Sequence, residues 1–157
     1  MGNMPVTASA VMSFAQRLDE DSAAFYRQLA HRWPEHAELF LEFAKECEKS
    51  RIHLTRTYQE TITDALEACF CFEGMDLESH WAEAATAADL GLGDAIAVAV
   101  RLEDRASVFY HEVAQRSQSL LATIPRAFSR AAKVRDKRNL QLQARVICEA
   151  PGLGGES

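Results

Sequence analysis

A chain of 157 residues has room for one ordinary domain, whose single core suffices without disulfides or a structural metal. Its 48% apolar and 25% charged residues exclude a disordered polymer, and seven Gly with four Pro favour long helices over a turn-rich β fold. A net charge of −6 argues against a general nucleic-acid or anionic-membrane binder, and the longest apolar run, Ala95–Val100, is six residues, far below the roughly 18 of a membrane span.

The first residues lack a basic region followed by an apolar stretch, so we expect no export signal and a cytoplasmic protein. Helical periodicity then starts. Val11, Phe14, Leu18, Ser22, Phe25 and Leu29 recur at spacings of three and four and predict a first helix over about 8–32. Pro34, with Glu35 and Glu38, has the chemistry of a first helical turn. The second helix carries Leu39, Phe43, Cys47, Ser50, Leu54 and Tyr58 on one stripe to about 60, with a kinked continuation toward Phe72 left open. The short link makes these two helices antiparallel.

Residues 73–93, with Gly74, Gly91 and Gly93, break the pattern, and Glu78–Ala88 could form a short helix. The segment is long enough to cross a bundle. Asp94 is the expected cap of a third helix showing Ile96, Ala99, Leu102, Ala106, Phe109 and Val113 on one face. Pro125 opens a fourth, with Phe128, Ala131, Arg135, Arg138 and Leu142 in register, ending near Cys148. The Gly-rich residues 149–157 read as a flexible tail. The predicted fold is all-α: a single bundle over 8–148, two antiparallel hairpins joined by a long crossover, the ferritin-like arrangement.

The two hairpins repeat. Arg17-Leu18-Asp19-Glu20, Phe25-Tyr26 and Ala30 return 84 positions later as Arg101-Leu102-Glu103-Asp104, Phe109-Tyr110 and Ala114. Phe40 and Ala44-Lys45 align with Phe128 and Ala132-Lys133, now 88 apart. On these residues the chain resembles the rubrerythrin branch of the ferritin-like proteins over roughly residues 10–145. In that family each first helix gives a Glu seven residues before a Tyr, and each second helix a Glu-x-x-His pair. Four carboxylates and two imidazoles then hold two iron ions, which implies peroxide reduction or oxidation of ferrous iron.

Carried over position by position, the first-helix ligands fall on Asp19 and Glu103. The Glu-x-x-His pairs fall on Cys47 and Ser50, and on Arg135 and Arg138. Both pairs are gone. Guanidiniums repel cations and do not deprotonate. Asp19 and Glu103 are therefore expected to pair with Arg135 and Arg138, with Tyr26 and Tyr110 beside them as core rings whose hydroxyls meet a carboxylate or an Arg. The expected function is a structural or interaction module that has lost its di-iron centre and takes no cofactor. The alternative is a metal-dependent oxidoreductase with iron on Asp19 and Glu103, and a small-molecule or partner sensor is a third class. A homodimer is expected.

Other features have plainer readings. Glu20, Glu48, Asp104 and Asp136 lie one step off the apolar stripes, toward solvent. Glu46 and His53 share a face and could bind a surface metal, though a solvated pair is the simpler reading. Cys69-x-Cys71 stands without a second Cys pair, which excludes a zinc ribbon or rubredoxin site. His31, His36, His80 and His111 share no metal spacing, and Trp33 and Trp81 read as packing anchors. Between Arg126 and Arg145 there are seven basic residues and one acidic, a net +6 in a chain of −6. That helix could bind an acidic partner or nucleic acid, but the simpler expectation is that it complements acidic helices of its own bundle or of a second subunit.

Overall fold

The structure is a computed structural model that describes residues 6–61, 71–72, 75–77, 89–118 and 123–149. Within them the chain is helical, in four long elements: α1 (Ala8–Arg32), α2 (Ala37–Thr61), α3 (Leu92–Arg116) and α4 (Thr123–Glu149). Each of the four apolar stripes read from sequence faces inward, at least in part.

Local chemistry sets the helix ends. Thr7 caps α1, its Oγ1 accepting the Ala10 N–H at 3.0 Å. At the other end the Trp33 N–H closes on the Leu29 carbonyl at 2.9 Å. Pro34–His36 is a separate 3₁₀ turn, so α2 starts three residues later than its proline suggests. Gly91, not Asp94, is the cap of α3. Asp94 lies in the first turn, where its charge still meets the positive end of the helix. Pro125 falls in the first turn of α4, where a missing N–H costs no intrahelical bond.

The continuation of α2 toward Phe72 does not hold. Cys71–Phe72 is extended and pairs antiparallel with Val6–Thr7, and Phe72 is buried against the start of α1. Residues 62–70, the expected short helix at 78–88 and the tail from 150 onward lie outside the described residues.

Two apolar clusters define the core, and both draw on all four helices. One joins Val11 and Met12 of α1 to Leu54 of α2, Val113 of α3 and Phe128 of α4. The other joins Phe25 and Leu29 to Phe40 and Phe43, Ile96 and Leu142. Hence α1 and α4 run one way, and α2 and α3 the other. α1 packs on α2 and α3 on α4 as antiparallel hairpins, which meet through α2–α4 and α1–α3. The Thr61 and Thr123 hydroxyls lie 3.2 Å apart at one end, while Leu92 begins α3 at the other. Among the described residues no helix is long and apolar enough to cross a membrane.

Candidate functional site

Between the two apolar clusters lies a polar layer. Asp19, Glu103, Arg135 and Arg138 are all at most 2% exposed. Their backbones sit mid-helix, one turn from small residues (Ala15 and Ala23, Ala99 and Ala106, Ala131 and Ala132) that leave room for long side chains. A buried charge is tolerated only when paired and hydrogen-bonded.

The pairing is dense. Arg135 gives Nη2–H to Asp19 Oδ1 at 2.6 Å. Its Nη1 donates to both Glu103 oxygens at 3.2 Å and to the Ser22 hydroxyl at 3.1 Å. Arg138 Nη1 donates to the same two oxygens at 3.3 and 3.2 Å and to Cys47 Sγ at 3.2 Å. On its outer edge Arg138 reaches Glu46 Oε1 through Nη2 at 3.1 Å. The four fully buried charges cancel in pairs, and half-exposed Glu46 closes the layer toward solvent.

The tyrosines cross over. Tyr26 of the first hairpin donates to Glu103 of the second, 77 positions on, and Tyr110 donates to Asp19 at 2.9 Å, 91 positions back. Each hydroxyl therefore satisfies the carboxylate of the opposite repeat, a reciprocal exchange about the pseudo-two-fold axis. The rings also cover the cations. Arg138 lies over Tyr26 and Phe43 at 5.8 and 5.5 Å, and Arg135 over Tyr110 at 5.8 Å. Phe40 and Phe128, aligned by the repeat, pack on Tyr26 and Tyr110 respectively.

Burial is the dominant influence on protonation. It pushes the Asp19 carboxyl up, against the pull of Arg135 and the Tyr110 hydrogen bond. Asp19 Oδ2 has no hydrogen-bond partner, which also eases protonation. Burial drives both tyrosines well above their usual range, and the carboxylate facing each adds to the rise. The Cys47 thiol is pushed up to about 11, although Arg135 and Arg138 pull it down. Both guanidiniums are held protonated: burial opposes their charge, but Glu103 outweighs it with the help of weaker neighbours.

Of the positions singled out in sequence, Asp19, Glu103, Arg135, Arg138, Tyr26 and Tyr110 form one network, and Cys47 joins it through sulfur. Ser50 does not. It lines a shallow α2–α4 groove floored by Leu54 and Ala131. Glu46 and Ser22 complete the network without having been assigned to it. The pairing of Glu46 with His53 is replaced: Glu46 turns to Arg138, and His53 is exposed. Glu20 and Asp104 face solvent, Glu48 lies near Arg27 and Arg51, and Asp136 accepts from Ser107 beside His111.

A di-iron centre does not fit this layer. The Glu103 oxygens and Asp19 Oδ1 are occupied by guanidinium and phenol donors, the Cys47 thiol is protonated, and two cations fill the space between the carboxylates. Among the described residues no three of His, Cys, Asp and Glu are grouped to hold a metal ion. The remaining acceptor, Asp19 Oδ2, is one oxygen beside a positive charge. No protein-family model matches this chain, and neither does any curated protein or solved structure.

Proposed function

We propose that this chain is a rubrerythrin-like member of the ferritin-like proteins whose metal layer has become an internal ion-pair lock, and that it acts as a structural or interaction module. The observation that carries the reading is Arg135. Its position aligns with a family metal ligand, and its guanidinium bridges Asp19 and Glu103, the two acids that align with the first-helix ligands. The up-down-down-up order of α1 to α4 and the 84-residue repeat support the ferritin-like assignment.

The lock sets register rather than adding net stability. Burying four charges costs solvation that their attraction roughly returns. A slip of one hairpin against the other by one turn, about 5.4 Å, would part Asp19 from Arg135, Glu46 from Arg138 and each tyrosine from its carboxylate, while the Glu103 pairs, internal to the second hairpin, would move together. Homodimerisation and a cytoplasmic setting belong to the same reading. Cys47, free and buried, suits a reducing compartment.

Elemental analysis of protein purified from iron- and manganese-supplemented cells tests the proposal. The expected result is less than about 0.1 equivalent of either metal. Stoichiometric metal that is lost in Glu103→Ala would overturn the lock and favour the oxidoreductase alternative.

A further inference from the structure

The basic fourth helix divides by face, and the division is not the one its sequence suggests. Arg135 and Arg138 turn inward and are neutralised by Asp19, Glu103 and Glu46. Asp136, the sole acid between Arg126 and Arg145, accepts from Ser107 and His111. Arg145 lies near Glu35, Glu38 and Glu42 at the far end of the bundle. Arg126, Arg130, Lys133 and Lys137 are left. All four are exposed, and none has an ion-pair partner among the described residues. Complementing the acidic helices of its own bundle thus accounts for the inward cations and not for these.

The four fall within a narrow arc of α4, on the side opposite Arg135. They form a +4 stripe about 16 Å long on a chain whose total charge is −6. Three of them wall a cleft of about 670 Å³ between α3 and α4, together with Gln115, Gln118 and Ser129, and no acid lines it. Opposed amides and a hydroxyl can bond a peptide backbone while the cations take its side chains.

We propose that this stripe and cleft bind an extended acidic segment of a partner protein. The inference rests on the interaction-module reading and supplies its partner class. Axial steps between the cations are about 6, 4.5 and 6 Å. Alternate side chains of an extended strand repeat at about 6.7 Å, so acids at every second position meet successive cations. A nucleic-acid backbone carries the same sign, but a chain with ten net negative charges outside the stripe repels a long polyanion. A short acidic segment stays within the stripe.

The test uses the full chain at low and physiological salt with a fluorescent peptide of about 12 residues that alternates Glu and Ser. A Gln-for-Glu peptide and a single-stranded oligonucleotide of equal length run in parallel. The expected result is saturable binding of the Glu peptide, at least about tenfold weaker at the higher salt and in R126E/R130E/K133E, and unchanged in R101E on α3. The Gln peptide does not bind. Circular dichroism checks the triple variant, with R126Q/R130Q/K133Q as substitute should charge reversal unfold it. Equal binding by wild type and triple variant overturns the proposal. So does tighter binding of the oligonucleotide through the same residues, or self-association of the chain that the triple variant abolishes. None of these outcomes touches the buried lock, which metal analysis tests separately.

Discussion

Replacing Arg135 with Met isolates what the buried lock contributes. The guanidinium is 2% exposed and is the bridge between Asp19 and Glu103. Met fills much of its volume and supplies no charge. Asp19 keeps only Tyr110, while Glu103 keeps Arg138 and Tyr26. Removing one partner of a buried pair costs about 3–5 kcal/mol, because the charge left behind is uncompensated. For a chain of this size that is a fall of roughly 6–20 °C in melting temperature. The reversible assay is urea unfolding followed by circular dichroism at 222 nm.

The sign of the pH dependence follows from Asp19. Its folded carboxyl titrates above the unfolded one because burial disfavours the charge. Stability contributed by this group is therefore present below the unfolded value, about 3.9, and is lost as pH rises through the folded one. Without Arg135 the folded value climbs further. The deficit of R135M therefore shrinks as pH falls and Asp19 takes up its proton. The double variant D19L/R135M removes one charge of each sign and regains most of the loss. A deficit for R135M under about 1 kcal/mol, the worth of an exposed pair, would refute a buried lock.

Further outcomes follow from the same layer. Spectrophotometric titration of the native chain to about pH 11 is expected to leave Tyr26 and Tyr110 protonated, since both are held well above their usual range. Stability from those two groups is intact below about pH 10 and is lost above it, as the unfolded chain becomes free to ionise. Y26F and Y110F should each cost about 1.5–3 kcal/mol in urea unfolding, the range for a hydrogen bond to a charged group. Cys47, buried and pushed up to about 11, is expected to resist iodoacetamide at pH 8 in peptide mapping until the chain is unfolded.

The repeat made much of this layer legible in advance. Arg135 and Arg138 lie on the same stripe as Phe128 and Leu142, and a charged residue on an apolar stripe needs an opposite charge at its own level. Aligning the hairpins put Asp19 and Glu103 there. The sequence pairs Glu46 with His53 instead of with this layer because it sits about 100° from Cys47, off the stripe, and only the reach of Arg138 brings it in. The crossed tyrosines are implicit in the repeat, but a separation of 84 does not say whether each hydroxyl meets the acid of its own hairpin or of the other. Seven residues make nearly two turns, about 10 Å, so a phenol cannot easily reach back to its own helix's acid. The opposite hairpin runs the other way and places its acid within range. Helix ends were less legible. Gly91 caps α3 with backbone alone, where Asp94 carried the stronger side-chain signal.

Installing the rubrerythrin ligand set tests the register of the whole alignment. The substitutions C47E, S50H, R135E and R138H place a Glu-x-x-His pair on both α2 and α4 and remove both cations. With Asp19 and Glu103 the layer then holds four carboxylates and two imidazoles, a charge of −4 that two divalent ions would balance. Without metal, four buried like charges should leave the variant unfolded or molten. With metal, binding to the folded state alone stabilises it by about 4 kcal/mol at a thousandfold excess over Kd. Cobalt(II) gives two readouts: visible absorption of the bound ion and cooperative unfolding that reappears on titration. Two equivalents per chain are expected, and S50A in place of S50H should lower the affinity. Ser50 decides the outcome, for it alone of the six aligned positions faces the α2–α4 groove instead of the ion pairs. A chain that stays unfolded at saturating cobalt, or folds without taking it up, would show that the six positions do not converge. Arg135 and Arg138 would then be ion-pair partners native to this bundle, with no metal ancestor at their level.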